Sequence, residues 1–274
     1  MRRFLYSLIA LSSILLIGHS AFALSPESDG GDKMVKKPGA SKGHPGGRKP
    51  SGGHHGYSRH RGPPADIPGH IKQRTSPDGT SINLNGSQVG LKGMMFMAEF
   101  PPLRKVTSMA MKGNKFGDES IKILAESETF QNLERLSLWD NQISGEGSRM
   151  IAQSKNFANL TELNMMKNNL GDAGIIALVK SANVKHLTFL DLSANNLTDA
   201  AAIAIAGSPN LVSVKRLDLY KNQIGPEGVK ALVRSKNLKN LEFLDLTQNN
   251  LTFEISQQLA KENTLPNLKI LTLY

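Results

Sequence analysis

Three aspartates, Asp191, Asp218 and Asp245, recur at intervals of 27 residues. At fixed offsets around them stand Phe189, Arg216 and Phe243 two residues earlier, and Tyr220 two residues later. Arg135, Trp139 and Met166 fill the same offsets in preceding copies. Carboxylates in such a row could take part in acid–base chemistry, but no arrangement of nucleophile, acid and base is apparent around them. The chain offers no HExxH pair, no GxSxG elbow and no phosphate-binding glycine loop between a strand and a helix. It has no cysteine, which excludes disulfides, thiol nucleophiles and thiolate metal sites together. The side chains present are those of recognition. Arginine and the aromatic residues dominate binding energy at protein interfaces, and a carboxylate row invites a basic, partly apolar patch. The expectation is therefore a partner-binding surface with no catalytic, cofactor-binding or metal-ligating residue, and no enzyme activity.

The elements that carry these residues repeat with the same period. Counting from Val106, Leu133, Leu160, Leu187, Val214, Leu241 and Leu268, positions 4 and 6 are apolar in every copy. Positions 3, 5 and 7 between them are mostly polar or aromatic. That alternation predicts a short strand with positions 4 and 6 buried and positions 3, 5 and 7 facing solvent. Position 9 is asparagine six times, at Asn114, Asn141, Asn168, Asn195, Asn222 and Asn249. An amide both donates and accepts, so a column of them suits the backbone of stacked turns, a structural role. Acidic residues such as Asp118, Asp172 and Asp199 then mark a helix start, where negative charge is favourable. Small residues at position 15 and apolar residues at position 19 predict a helix packed closely on the strand. A unit of this size cannot bury its own apolar face, so the copies must stack. An irregular copy lies upstream, with Ile82, Leu84 and Val89 in register and Ser87 in place of the asparagine.

The runs LERLSLWDNQIS, LTELNMMKNNLG and VKRLDLYKNQIG, each followed by a helical half, resemble the leucine-rich repeat family, in particular its ribonuclease-inhibitor-like class. The resemblance covers residues 79–274, as seven repeats and a partial eighth. It implies an α/β solenoid, a curved horseshoe with a parallel sheet on the concave face and helices on the convex face. It also implies a scaffold that binds a protein partner on the concave face. Leu-Asp-Leu is a frequent spelling in this family, so the alternative reading of the aspartate row is framework. The seventh repeat departs from the pattern in its helix-poor ending. The cysteine caps of animal extracellular members are missing, which points to a bacterial exported protein.

The remainder of the chain is of other material. Residues 1–23 combine Arg2 and Arg3, an apolar run from Leu5 to Ile17 and the small-residue site Ala21-Phe22-Ala23. This is the composition of a secretory signal peptide, and the product is expected to be secreted or periplasmic with no transmembrane segment. Residues 24–78 are rich in Gly, Pro and His and poor in aliphatic side chains, which predicts a disordered basic arm. Of the formal charge of +10, most falls in this arm rather than in the repeats. His44, His54, His55, His60 and His70 lack the spacing of a tetrahedral metal site. With only Tyr57 interleaved, no specific nucleic-acid platform is expected, and weak contact with anionic polymers is expected through residues 24–75. The alternative function is accordingly an envelope-associated or adhesion protein whose arm binds anionic cell-surface polymers. Finally, residues 268–274 end in a strand with no helix after it, and weak self-association through that edge is expected.

Overall fold

The computed structural model describes residues 62–274, so the signal-peptide reading and most of the arm lie outside the described residues. Eight parallel strands form one sheet in chain order: β1 (Ser81–Asn83), β2 (Ser108–Ala110), β3 (Arg135–Ser137), β4 (Glu162–Asn164), β5 (Phe189–Asp191), β6 (Arg216–Asp218), β7 (Phe243–Asp245) and β8 (Ile270–Thr272). Each residue pairs with its equivalent one repeat on, Arg135 with Glu162 and Phe189 with Arg216 for example. Helices α1 (Ile67–Gln73), α2 (Gly90–Ala98), α3 (Asp118–Glu126), α4 (Gly145–Gln153), α5 (Gly171–Lys180), α6 (Asp199–Gly207), α7 (Pro226–Val233) and α8 (Phe253–Lys261) form the second layer. Sheet and helices alternate along the chain as a leucine-rich-repeat solenoid.

The strands are only three residues long, yet the ladder continues past them. Leu138 N–H donates to the Asn164 carbonyl at 2.8 Å, and Asp140 N–H to the Met166 carbonyl at 2.9 Å. Position 8 then turns the chain through the left-handed region, with Asp140, Lys167, Ala194, Lys221 and Gln248 all at φ between 53° and 56°. Only the first two copies use glycine there, Gly86 and Gly113.

Between the layers lies one continuous core. Leu136, Leu163, Leu190, Leu217 and Leu244 from position 4 meet Leu124, Ile151, Leu178, Ile205 and Leu232 from position 19, all at most 1% exposed. Full burial of such a side chain is worth roughly 1.5–3 kcal/mol, which makes the core the main source of stability. Small residues set the helix spacing. A Cβ on Gly174 would stand 2.6 Å from the Gly145 Cα, so α4 and α5 touch backbone to backbone.

Both ends differ from the sequence expectation. The arm expected to run to residue 78 gives way earlier, because α1 begins at Ile67. The Asp66 carboxylate accepts from Gly69 N–H at 2.9 Å and Pro68 sits in the first turn, both favourable at a helix start. Ile71 is fully buried, and Thr75 bridges to Ile82 of β1. His70, grouped by sequence with the arm histidines, instead has its Nε2 2.9 Å from the Ser87 Oγ, at the copy that lacks asparagine. The seventh repeat is not helix-poor either: Thr252 caps α8 by accepting from Ile255 N–H at 3.3 Å. Among the described residues β8 pairs only with β7, and Ile270 and Tyr274 are exposed, Tyr274 lying edge-on to Phe253.

Candidate interaction surface

The outward positions of neighbouring strands stand side by side, since parallel strands lie about 4.8 Å apart. At the centre, Arg216 lies between two phenylalanines. Its guanidinium carbon is 4.1 Å from the Phe243 ring centroid and 5.8 Å from that of Phe189. Asp218 pins it from the same strand, accepting from Nε at 2.8 Å and from Nη2 at 3.4 Å. The Arg216 side chain is nonetheless 51% exposed. Aromatic stacking and a two-point ion pair thus hold a cation at the surface in one orientation.

The aspartate row corrects the expectation of a solvent-facing acidic column. Asp191 and Asp218 are each only 7% exposed, while Asp245 is half-buried. Position 5 is the floor of the sheet, shielded by positions 3 and 7 of its own and adjacent strands. Asp191 accepts from Ser193 N–H at 2.9 Å and from the Asn164 amide at 3.1 Å. Asp245 accepts from Thr247 N–H at 2.9 Å and from the Thr272 hydroxyl at 2.9 Å. These are bonds that terminate the strand, so the row belongs largely to the framework. Burial pushes the Asp191 carboxyl up to about 6, and burial likewise raises that of Asp218 against the opposing bond from Arg216.

Toward the N-terminal side, Trp139 is half-buried rather than open, with Lys112 Nζ 3.6 Å from its ring centroid. Its Nε1 is buried without a hydrogen-bond partner among the described residues. Lys112 was not singled out from sequence, although it occupies the position of Trp139 one repeat earlier. Met166 and Tyr220 are also half-buried in that column. Arg135 sits beside Glu162, whose carboxyl is raised by burial against the opposing charge of Arg135. Phe189, Arg216, Phe243 and Asp218 therefore form one cluster on β5 to β7, while Arg135 and Trp139 belong to the repeat of β3 and Met166 to that of β4.

Two polar ladders keep the surface in register. Asn195 donates to the carbonyls of Met165, Leu192 and Ser193 at 2.9, 3.1 and 3.0 Å, and Asn222 accepts in turn from Asn195 N–H at 2.9 Å. The asparagines are structural, as their chemistry suggested. A second ladder went unread in the sequence. Ser154, Ser181, Ser208 and Ser235 each donate to a helix carbonyl of the preceding repeat, Ser154 to Ala125 and Ser235 to Ala206. Asn156 and Asn183 add bonds to the same turns. Its signal was present as a second 27-residue series of serine and asparagine, at the helix exit.

Among the described residues no helix is long and apolar enough to cross a membrane. No curated protein matches the chain. A Leucine Rich repeat family model matches residues 131–152, 158–179, 185–206 and 210–233, and a second Leucine Rich Repeat model matches residues 240–261. Together with the in-register parallel sheet and the asparagine ladder, these matches identify residues 131–261 as leucine-rich repeats.

Proposed function

We propose that this chain is a non-enzymatic, exported scaffold of the ribonuclease-inhibitor-like class that grips a partner protein on the concave face of its sheet. Leucine-rich repeats are in general protein-interaction scaffolds. The observation that carries the reading here is the exposed Arg216 held between Phe189 and Phe243. Tyr220, Met166, Trp139, Arg135 and Asp245 extend the contact area, and Asp191 and Asp218 support it from below. Fixed aromatic and arginine side chains lose little entropy on binding, which favours them as anchors.

The test is recovery of a partner by the full chain, followed by affinity measurements on two variants that remain folded by circular dichroism. Phe189→Ala/Phe243→Ala is expected to weaken binding at least about 30-fold, in line with loss of an interface anchor. Trp139→Ala/Tyr220→Ala is expected to weaken it less. Full affinity in both variants would place the site elsewhere. Export is tested separately: the intact mass of the secreted product should lack residues 1–23, and a retained Met1 would refute cleavage.

A further inference from the structure

The aspartates in the sequence invite a basic partner, but the geometry withdraws Asp191 and Asp218 from the surface and leaves the Arg216 side chain 51% exposed. Asp218 is occupied by Arg216, and Asp191 and Asp245 are occupied by Asn164, Ser193, Thr247 and Thr272. What the face offers outward is the guanidinium. Asp218 takes its Nε–Nη2 edge. No hydrogen bond among the described residues uses Nη1, so the Nη1–Nη2 edge remains for a second acceptor. Arginine presents five N–H donors in a planar fork that matches a carboxylate two bonds at a time. Phe189 and Phe243 flank the guanidinium with apolar surface that could receive the groups on either side of such a carboxylate.

We propose that the concave face recognises a carboxylate side chain flanked by apolar residues, accepted on the free edge of Arg216 between the rings of Phe189 and Phe243. This rests on the concave-face reading above and names the chemistry of its ligand. Asp218 acts as a positioning residue, orienting the fork without touching the ligand. Phe189 and Phe243 hold the guanidinium plane and receive the flanking aliphatic or aromatic groups.

The probe is a displayed library of random 12-residue peptides selected on the full chain. Enriched sequences are expected to share one Asp or Glu beside an aliphatic or aromatic residue. Synthesised peptides should lose about 30-fold or more in affinity to Arg216→Gln and about tenfold to Arg216→Lys, which keeps the charge and loses the fork. Replacing the peptide carboxylate by its amide should cost wild type heavily and cost Arg216→Gln nothing further. Asp218→Asn should weaken binding and make the amide replacement less costly, which a merely structural role would not do. Lys- or Arg-rich binders indifferent to Arg216→Gln but weakened by Asp245→Asn would overturn the carboxylate while leaving the concave site standing. Binders indifferent to Arg216→Gln and to Phe189→Ala/Phe243→Ala alike would overturn both. A library that yields no binder overturns the proposal as well.

Discussion

Asn195 is fully buried, and its amide serves three carbonyls drawn from two repeats. Alanine there would leave those acceptors without a donor in a site closed to water. Asn195→Ala is expected to cost about 2–5 kcal/mol in urea unfolding, far more than a surface substitution. Asp191 makes a prediction of a different kind. Its carboxyl rises from the ordinary 3.8 to about 6, so the folded protein holds that proton more tightly than the unfolded chain. The associated stabilisation is complete below about pH 4 and is lost as pH rises through about 6. A separation of that size corresponds to about 3 kcal/mol. The stability difference between wild type and Asp191→Asn should therefore slope across that window, with wild type favoured at its acid end. A flat difference profile would mean that burial does not perturb this carboxyl.

Among the elements, paired glycine substitutions separate propensity from packing. Alanine is the better helix former by about 1 kcal/mol. In α6, a Cβ at Gly207 meets nothing within 4 Å, and Gly207→Ala should stabilise by about 0.5 kcal/mol. In α5, a Cβ at Gly174 would lie 2.6 Å from the Gly145 Cα, and backbone cannot swing aside as a side chain can. Gly174→Ala should therefore destabilise by about 1–3 kcal/mol despite its propensity. Thermal melts of the two variants should move in opposite directions. The turn after each strand offers a third comparison. Ala194 holds φ of 53°, where a Cβ crowds the backbone. Ala194→Gly should gain up to about 1 kcal/mol and Ala194→Val should lose at least as much, since branching at Cβ worsens the crowding.

At the scale of the whole repeat array, each unit touches chiefly its neighbours, so stability accumulates from unit to unit. Leu163, Leu190 and Leu217 are fully buried with a repeat on either side, whereas the β8 residues Ile270 and Leu271 are exposed and half-buried. Amide exchange should be slowest in β4 to β6 and fastest in β8. Asn195→Ala should accelerate exchange most in the repeats on both sides of it, because its bonds cross to Met165 and Leu170 in the preceding repeat. Uniform acceleration along the whole sheet would instead indicate a single cooperative unit.

The sequence alone determined the architecture, because it is written in local periods. Alternation at positions 4 and 6 requires a strand with one buried face, the asparagines at position 9 supply an amide to six of the turns, and a 27-residue unit requires neighbours. Phe189, Arg216 and Phe243 were legible as outward residues for the same reason. What tertiary structure decided was contact across strands. Whether position 5 sees solvent depends on side chains 27 residues away in either direction, so the burial of Asp191 and Asp218 could not be read from alternation. The clamp on Arg216 needs three strands at once, and its bond to Asp218 cancels a charge that a residue count leaves standing. Helix α1 escaped for a related reason. Its few apolar residues fall within a Gly- and Pro-rich stretch, and only the open end of the first repeat supplies the surface that makes burying Ile71 favourable.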